Sequence, residues 1–394
     1  MEEIRKMKTA VIGCGMISNI YIRNLKRMFS IIDLIAVCDM RRESAEKQAQ
    51  AYGVEKVMTM EEIAADQSIE LVINLTPAFA HYDVIKQMLL AGKHVWTEKV
   101  LTTDLEKGRE LLRIAEEKGL YLGVAPDTVL GAGVQTARHI IDSGLIGDVT
   151  GCVAAVNRNQ SLNSEYFRFL RGDGGALPYD VGIYYVAALT ALLGPVEEVM
   201  AYGMPAPVHH TEMLSANGLD TWQIPGNNLL AGCLKFKSGA VGTVQFNGNT
   251  IGEEKQIIYI YGTKGILRLG DPDTFGGFVK LTLPNADEID IPMTHGYDGK
   301  PVADQPDWVD MAYGHRGIGP AEMAWAIRKN RPNRCSKEFG FHAMEILCGM
   351  DEAAASRKPY AMTSTFEMAP LKDGYFCKMG HGTMPADAER SLID

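Results

Sequence analysis

Long apolar runs are missing from this sequence, and none approaches the roughly 18–20 residues a bilayer-spanning helix requires. No membrane partner is therefore expected. The opening residues, Met1-Glu2-Glu3-Ile4-Arg5-Lys6, are charged and lack the apolar core of a secretory signal. Cysteine is sparse and dispersed: Cys14, Cys38, Cys152, Cys233, Cys335, Cys348 and Cys377 form no close pair of metal-ligand spacing. An odd, scattered set predicts reduced thiols in a cytoplasmic protein. Basic charge is in deficit, with 39 Lys and Arg against 49 Asp and Glu and a formal net charge of −10, so nucleic acid is not an expected partner. A phosphorylated cofactor stays open, because backbone amides at a helix N-terminus bind phosphate without net positive charge. There is no internal repeat and no low-complexity tract. What remains is an ordinary globular composition, 46% hydrophobic and 22% charged. The 394 residues exceed what one core usually holds, which predicts two domains.

The two halves differ in texture. Up to residue 126, short apolar runs (9–13, 34–39, 71–76, 94–98 and 121–124, with a weaker one at 56–59) alternate with amphipathic stretches such as 80–91 and 104–118. Unbroken Val- and Ile-rich runs suit strands covered on both faces, and strand–helix alternation predicts a doubly wound parallel sheet. From residue 127 to 394 the pattern is of another kind. Helix-like stretches at 133–142 and 181–193 bracket a strand at 149–157. Closely spaced strands follow at 196–202, 229–236, 241–246, 256–261, 265–269 and 278–283, then helices at 321–329 and 339–356. This predicts an α+β domain with a largely antiparallel sheet. Residues 203–227 and the tail after Thr363 show weak periodicity and read as loop.

The first strand runs into Gly13-Cys14-Gly15-Met16-Ile17-Ser18, then a helix. Gly13 permits the tight turn, Gly15 lets a pyrophosphate approach the backbone, and a small residue at 18 allows close packing. Alone, a Gly-x-Gly carries little weight and is compatible with a strand–helix turn that binds nothing. Its context adds weight: Asp39 ends the second strand about 20 residues on, where a carboxylate accepts hydrogen bonds from the adenosine ribose and repels a 2′-phosphate. NAD is thus expected over NADP, although Arg41 and Arg42 soften the preference.

Three further segments carry a resemblance. They are Thr76-Pro77, with His81 following; Gly92-Lys93-His94-Val95-Trp96-Thr97-Glu98-Lys99; and Gly174-Gly175-Ala176-Leu177-Pro178-Tyr179-Asp180-Val181-Gly182-Ile183-Tyr184. In this order the chain, up to about Pro370, resembles the Gfo/Idh/MocA family. The resemblance implies a Rossmann domain joined to an α+β domain with a large open sheet, and a nicotinamide cofactor. It also implies a sugar, polyol or glycoside substrate, and homo-oligomers built on that sheet. Three positions depart from the family pattern. Val100 replaces the proline after Glu98-Lys99, Tyr184 stands where a catalytic histidine is frequent, and Ala78 follows Thr76-Pro77 in place of asparagine.

Moving a hydride from a carbinol carbon requires a group that exchanges the hydroxyl proton and a cation beside the developing alkoxide. Lys99 ends the fifth strand, at the sheet edge where ligands bind, although many strand-end lysines are simply solvated. Asp180 and Tyr184 lie four residues apart and share one face if 181–193 is helical. Tyrosine is a weak base near neutrality unless a cation favours its phenolate. Lys99 and Tyr184 are thus expected to form the proton-exchange pair, with Asp180 orienting substrate or lysine. A core aromatic at 184 and an N-cap at 180 are the structural alternatives. Thr76, Pro77, His81, Glu98 and Lys99 are expected beside the cofactor, with Gly13 to Ser18 and Asp39, and a helix-start role for His81 remains open. Asn157, Arg158, Tyr166 and His315 are the substrate-binding candidates, with a surface ion pair as the alternative for the first two. His209-His210 is a poor metal site because adjacent side chains diverge, and no required metal is expected.

These residues predict an NAD-dependent oxidoreductase acting on a secondary alcohol of a sugar, polyol or glycoside. Aromatic residues at 166, 167, 184 and 185 suit a glycoside. A redox-assisted glycosidase uses the same Lys99 and NAD and is not separable by sequence. A non-catalytic nicotinamide sensor is disfavoured by the retention of both Lys99 and Tyr184.

Overall fold

The computed structural model describes residues 5–210, 220–254, 257–298, 314–373 and 386–393. Two sheets organise them. The first contains β1 (Met7–Ile12), β2 (Ile32–Cys38), β3 (Lys56–Val57), β4 (Leu71–Asn74), β5 (His94–Thr97) and β6 (Leu122–Val124), in the order β3-β2-β1-β4-β5-β6 with every pairing parallel. All four residues of β4 are buried, as an unbroken apolar run predicts for a strand covered on both faces. The covering helices are α1 (Ser18–Arg27), α2 (Arg42–Tyr52), α3 (Met60–Ala65), α4 (His81–Leu90) and α5 (Leu105–Glu117). Strand order reverses between β1 and β4, and crevices at such switch points take ligands in this architecture.

The second sheet comprises β7 (Val149–Asn157), β8 (Val196–Pro205), β11 (Asn227–Phe236), β12 (Val241–Asn247), β13 (Ile257–Gly262), β14 (Ile266–Leu269), β15 (Val279–Thr282), β16 (Ile289–Asp290) and β17 (Tyr360–Ala361). Among the described residues its order is β16-β15-β14-β13-β7-β12-β11-β8-β17, antiparallel except for the β7–β12 pair. Burial alternates along β12, with Gly242, Val244 and Phe246 inside, so one face is packed and the other open. The packed face is covered by α6 (Ala132–Asp142), α8 (Ile183–Leu193) and α10 (Lys337–Ser356); α9 (Ile318–Lys329) packs on β5 and β6 of the first sheet, and α7 (Gln160–Tyr166) packs on the turn at Arg168–Arg171. The middle helix, α8, is buried from Ile183 to Leu192. α10 ties both layers together. A Cβ on its Gly340 would fall 2.3 Å from that of Val124, while Phe341 packs against Gly108 of α5.

Several loop expectations need correction. Within 203–227, β8 continues to Pro205, and β9 (His209–His210) pairs with β10 (Thr221–Trp222); residues 211–219 lie outside the described residues. Helix α7 lies between the strand expected at 149–157 and the helix expected at 181–193, a stretch for which the sequence predicts no regular element. After Thr363, residues Ala386–Ile393 form α11, whose Glu389 accepts from the Ser30 hydroxyl and the Trp325 indole. These short elements are held by long-range contacts and have too little local periodicity to show in sequence. Helix α8 starts two residues later than expected, after a π-helical turn over Pro178–Gly182.

Candidate active site

Gly13 adopts φ 101°, a left-handed conformation suited to glycine. A Cβ there would sit 2.7 Å from the Leu75 carbonyl carbon, so the first loop packs directly on the end of β4. Gly15 has open space around it, and Met16 is exposed beside it. Ile17 precedes α1, and the buried Ser18 hydroxyl donates to the Gly15 carbonyl at 2.6 Å. The Ser18 and Asn19 N–H groups donate to the Gly15 and Met16 carbonyls at 3.2 and 3.3 Å, so the loop runs straight into the start of α1, the end of a helix that favours a pyrophosphate. Asp39 accepts from the backbone N–H of Cys14 at 2.7 Å and of Arg41 at 2.8 Å, which places the carboxylate against the loop. A carboxylate has further lone pairs for ribose hydroxyls. Arg42 pairs with Glu46 along α2. Loop, helix start and carboxylate fit a dinucleotide, which would supply a hydride acceptor when bound.

The ends of β4 and β5 are linked through His81. Its Nδ1 lies 2.7 Å from the Val100 carbonyl oxygen and its Nε2 2.8 Å from that of Thr76. Burial pushes the ring's pKa down, against the two carbonyls that favour protonation. His81 also begins α4, so the helix-start role and the bridging role coincide. Thr76 donates to Asn74, and Pro77 is exposed at the rim. Glu98 is buried; it accepts from the Tyr21 hydroxyl of α1 at 2.7 Å and from the Lys99 N–H at 3.0 Å. The Lys99–Val100 peptide is cis although residue 100 is not proline.

Lys99 then reaches the second sheet's layer. Its Nζ donates to Asp180 Oδ1 at 2.7 Å and to the Asp180 carbonyl at 2.6 Å, and lies 5.4 Å from the Tyr184 ring centroid. Asp180 is not the N-cap of α8, which is Gly182; it sits in the preceding π turn, where its carboxylate turns toward the lysine. Although burial opposes ionisation, the Lys99 ammonium holds the Asp180 carboxyl below its usual range. Gln160, buried at the start of α7, donates to Asp180 Oδ2 at 2.9 Å and to Gly175. Gly175 leaves no room for a side chain, since a Cβ would fall 1.9 Å from the Leu170 carbonyl oxygen.

Tyr184 is buried, and its hydroxyl accepts from Arg316 Nη2 at 2.9 Å. Arg316 also pairs with Asp127, which follows the Rossmann sheet, and with Asp273, from the β14–β15 connection. Tyr185 is wholly buried and donates to Asp271 at 3.3 Å. Burial pushes Asp273 up to about 6. Arg158 carries an ion pair with Glu253 at 2.9 Å and feels the charges of Asp180, Asp271 and Asp273, which places it beside the site.

Two substrate-binding expectations need correction. Asn157 lies on the open face of the sheet, joined to Glu254 and Gln245, because successive strand residues point to opposite faces. His315 is wholly buried and packs edge-on against Phe275 and Tyr297; burial pushes it down to about 4. Tyr166 ends α7 at 70% exposure, outside the buried cluster. Sequence reasoning missed Arg316, Asp127, Gln160 and Asp273. Arg316 was adjacent to the histidine singled out, and Asp127 follows the last Rossmann strand directly, but neither lies in a periodic pattern. Among the described residues, no group of three or more His, Cys, Asp or Glu is placed to hold a metal.

Comparisons with known proteins agree with this architecture. Residues 7–125 match the model of an oxidoreductase family with an NAD-binding Rossmann fold, and residues 134–268 match the GFO/IDH/MocA C-terminal domain. An uncharacterized oxidoreductase of Schizosaccharomyces pombe is 32% identical over 198 residues, covering 50% of this chain and 54% of that protein. A scyllo-inositol 2-dehydrogenase (NADP(+)) of Bacillus subtilis is 27% identical over 199 residues, covering 50% and 55%. The chain spans about half the length of these two relatives. A myo-inositol 2-dehydrogenase of Thermotoga maritima is 24% identical over 261 residues, covering 66% and 74%. Among solved structures, the apo form of a levoglucosan dehydrogenase shares the fold with a TM-score of 0.77 at 18% identity, covering 92% of this chain and 100% of that one. An Agrobacterium radiobacter oxidoreductase in complex with NAD+, L-tartaric acid and magnesium does so with a TM-score of 0.74 at 16% identity, covering 90% and 98%. With both halves matched in order, the chain belongs to the Gfo/Idh/MocA family of NAD-binding oxidoreductases.

Proposed function

We propose that this protein transfers a hydride between a secondary alcohol of a sugar or polyol and NAD. The observation that carries the reading is the meeting of Lys99, Asp180 and Tyr184 at the C-terminal edge of a parallel sheet, beside a loop built for a dinucleotide. Oxidation would break the carbinol C–H and O–H bonds: a bound nicotinamide would supply the hydride acceptor, and the proton would pass to the enzyme. Lys99, held by Asp180, places positive charge where the alkoxide develops. Tyr184, once ionised, accepts the hydroxyl proton and returns it in the reverse direction.

The finer reading is a glycoside substrate, oxidised to a keto sugar. Phe79 and Phe169 are exposed aromatics near the glycine-rich segment, where Gly172 approaches the Phe79 ring, and they support stacking of an aglycone. Arg158 would contact the sugar. Met200, Tyr202 and Met204 are exposed on the open sheet face and support homo-oligomer formation there. A cytoplasmic location fits the composition.

The test is purified full-length protein screened with NAD against polyols, free sugars and glycosides by reduced-cofactor absorbance. Reduced cofactor forming with a member of these classes, and its loss in Lys99→Ala, is the expected result. No formation by a folded protein that binds NAD overturns the reading. Aglycone release without net NADH supports the redox-assisted glycosidase in its place.

A further inference from the structure

Arg316 is a firmly held buried side chain that the proposed chemistry does not yet use. It is 1% exposed, and its guanidinium makes hydrogen bonds in two directions. Nη1 donates to Asp127 Oδ1 at 3.1 Å, while Nη2 donates both to Tyr184 Oη at 2.9 Å and to Asp273 Oδ1 at 3.0 Å. Asp127 is fixed in turn, because its Oδ2 accepts the N–H groups of Gly317 at 3.0 Å and Gly319 at 3.2 Å, at the start of α9. The backbone is tied down separately: Asn24 of α1 donates to the carbonyls of Gly314 at 3.1 Å and Arg316 at 2.8 Å. The arginine therefore joins the phosphate-loop helix, the end of the Rossmann sheet and the Tyr184 helix.

A buried cation held this firmly costs desolvation, and two carboxylates offset it. Neither carboxylate requires a tyrosine in the arrangement. Guanidinium has donors only and stays charged at any working pH. A donor pointing at Oη excludes the phenolic proton from that side, so the Tyr184 O–H must be aimed elsewhere. It also stabilises the phenolate once that proton has gone. Lys99, by contrast, approaches the ring of Tyr184 and, among the described residues, donates its ammonium hydrogen bonds to Asp180. Among the described residues, the charged groups around the phenol include Arg316 and Lys99, with Asp127 and Asp273 behind the arginine, Asp180 behind the lysine, and Glu98 acting on Arg316 through space.

We propose that Arg316 is a positioning residue for proton exchange: anchored by Asp127, it fixes the Tyr184 hydroxyl and stabilises the phenolate. This rests on the reading of Tyr184 as the proton-exchanging group. The division of labour differs from the one expected from sequence, in which Lys99 alone supplied the cation. Here Lys99 serves the substrate oxygen and Arg316 serves the phenol. Asp273 shares Nη2 with the phenol, so its negative charge tempers the effect of the guanidinium.

The experiment titrates Tyr184 in the full chain without cofactor, as the ultraviolet tyrosinate difference between each protein and the same protein carrying Tyr184→Phe. Arg316→Gln is expected to move Tyr184 ionisation up by about one pH unit or more. Its kcat–pH profile should move the same way while NAD binding is retained, and Arg316→Lys should recover part of the shift. Asp273→Asn leaves the Asp127 pair in place and serves if Arg316→Gln fails to fold. It is expected to move Tyr184 ionisation down. An unchanged Tyr184 titration in a folded Arg316→Gln or Asp273→Asn variant, with Tyr184→Phe inactive, overturns this proposal alone. Full turnover in Tyr184→Phe overturns it together with the proton-exchange reading of Tyr184.

Discussion

Lys99 and Asp180 are 81 residues apart in sequence, yet the lysine ammonium lies 2.7 Å from the aspartate carboxylate and 2.6 Å from its carbonyl oxygen. The pair is the point at which the end of a parallel strand meets a turn of the second sheet's layer. It gives the lysine a defined position instead of the solvated freedom most lysines have. Asp180 is in turn held by Gln160, so the ammonium rests on a chain of polar contacts from α7.

Replacing Lys99 with alanine removes the cation that the proposed reaction sets at the substrate oxygen. Turnover should fall by about 10²–10⁴-fold, the range for loss of a positioned acid–base or electrostatic group. The Gly13 loop and Asp39 are untouched, so NAD affinity, measured by equilibrium fluorescence titration, should change little. Comparable losses in both quantities would mean that Lys99 acts mainly in cofactor binding.

Asp39→Ser removes the carboxylate proposed to accept hydrogen bonds from the ribose hydroxyls. Loss of a hydrogen bond to a charged group is worth about 1.5–3 kcal/mol, so NAD affinity should weaken by about tenfold to a hundredfold. NADP, whose 2′-phosphate the carboxylate repels, should weaken less or bind better. Parallel binding isotherms check this, and equal weakening of both cofactors would count against the assignment.

Gly13→Ala forces a Cβ to within 2.7 Å of the Leu75 carbonyl carbon at φ 101°. The loop must then shift away from the end of β4, at a cost of roughly 1–3 kcal/mol for the backbone conformation alone. The expected outcome is a folded protein of lower Tm whose Tm no longer rises with added NAD. A normal NAD-induced rise would show that the loop tolerates the side chain.

Acid should destabilise the fold partly through His342. Its Nε2 accepts the Val196 N–H at 2.9 Å, which requires that nitrogen to be unprotonated, and Nδ1 lies 2.8 Å from the Ser364 hydroxyl. Burial pushes the imidazole down to about 4 from the ordinary 6.5. Between these values the unfolded chain binds a proton that the folded chain refuses. Stability is therefore full above pH 6.5 and declines as pH falls toward 4, by up to about 3 kcal/mol from this group. Urea unfolding across that window should show a shallower decline for His342→Gln than for the native chain.

The Rossmann half was legible because its signals are local. Gly13, Gly15 and Asp39 sit at fixed distances along one strand–helix–strand unit, and each has a backbone or charge requirement that few residue types meet. Lys99 was legible for a similar reason, as the residue that ends an unbroken apolar strand. The short elements β9, β10, β16, β17 and α11 were not, since their hydrogen bonds come from segments distant in sequence.

By itself, the sequence determined the parallel sheet, the glycine loop at the end of β1, the carboxylate of Asp39 after β2 and the presence of Lys99, Asp180 and Tyr184. Tertiary structure alone decided which neighbours face them. Arg158 lies near the acidic cluster and Asn157 on the open face because of strand parity, which shifts with a single residue of register. Arg316 enters the cluster and His315 packs among aromatics because a non-periodic segment is fixed by Asn24 and Asp127, from two other parts of the chain. Such choices depend on where distant segments bring their donors and carboxylates, and no local pattern encodes them.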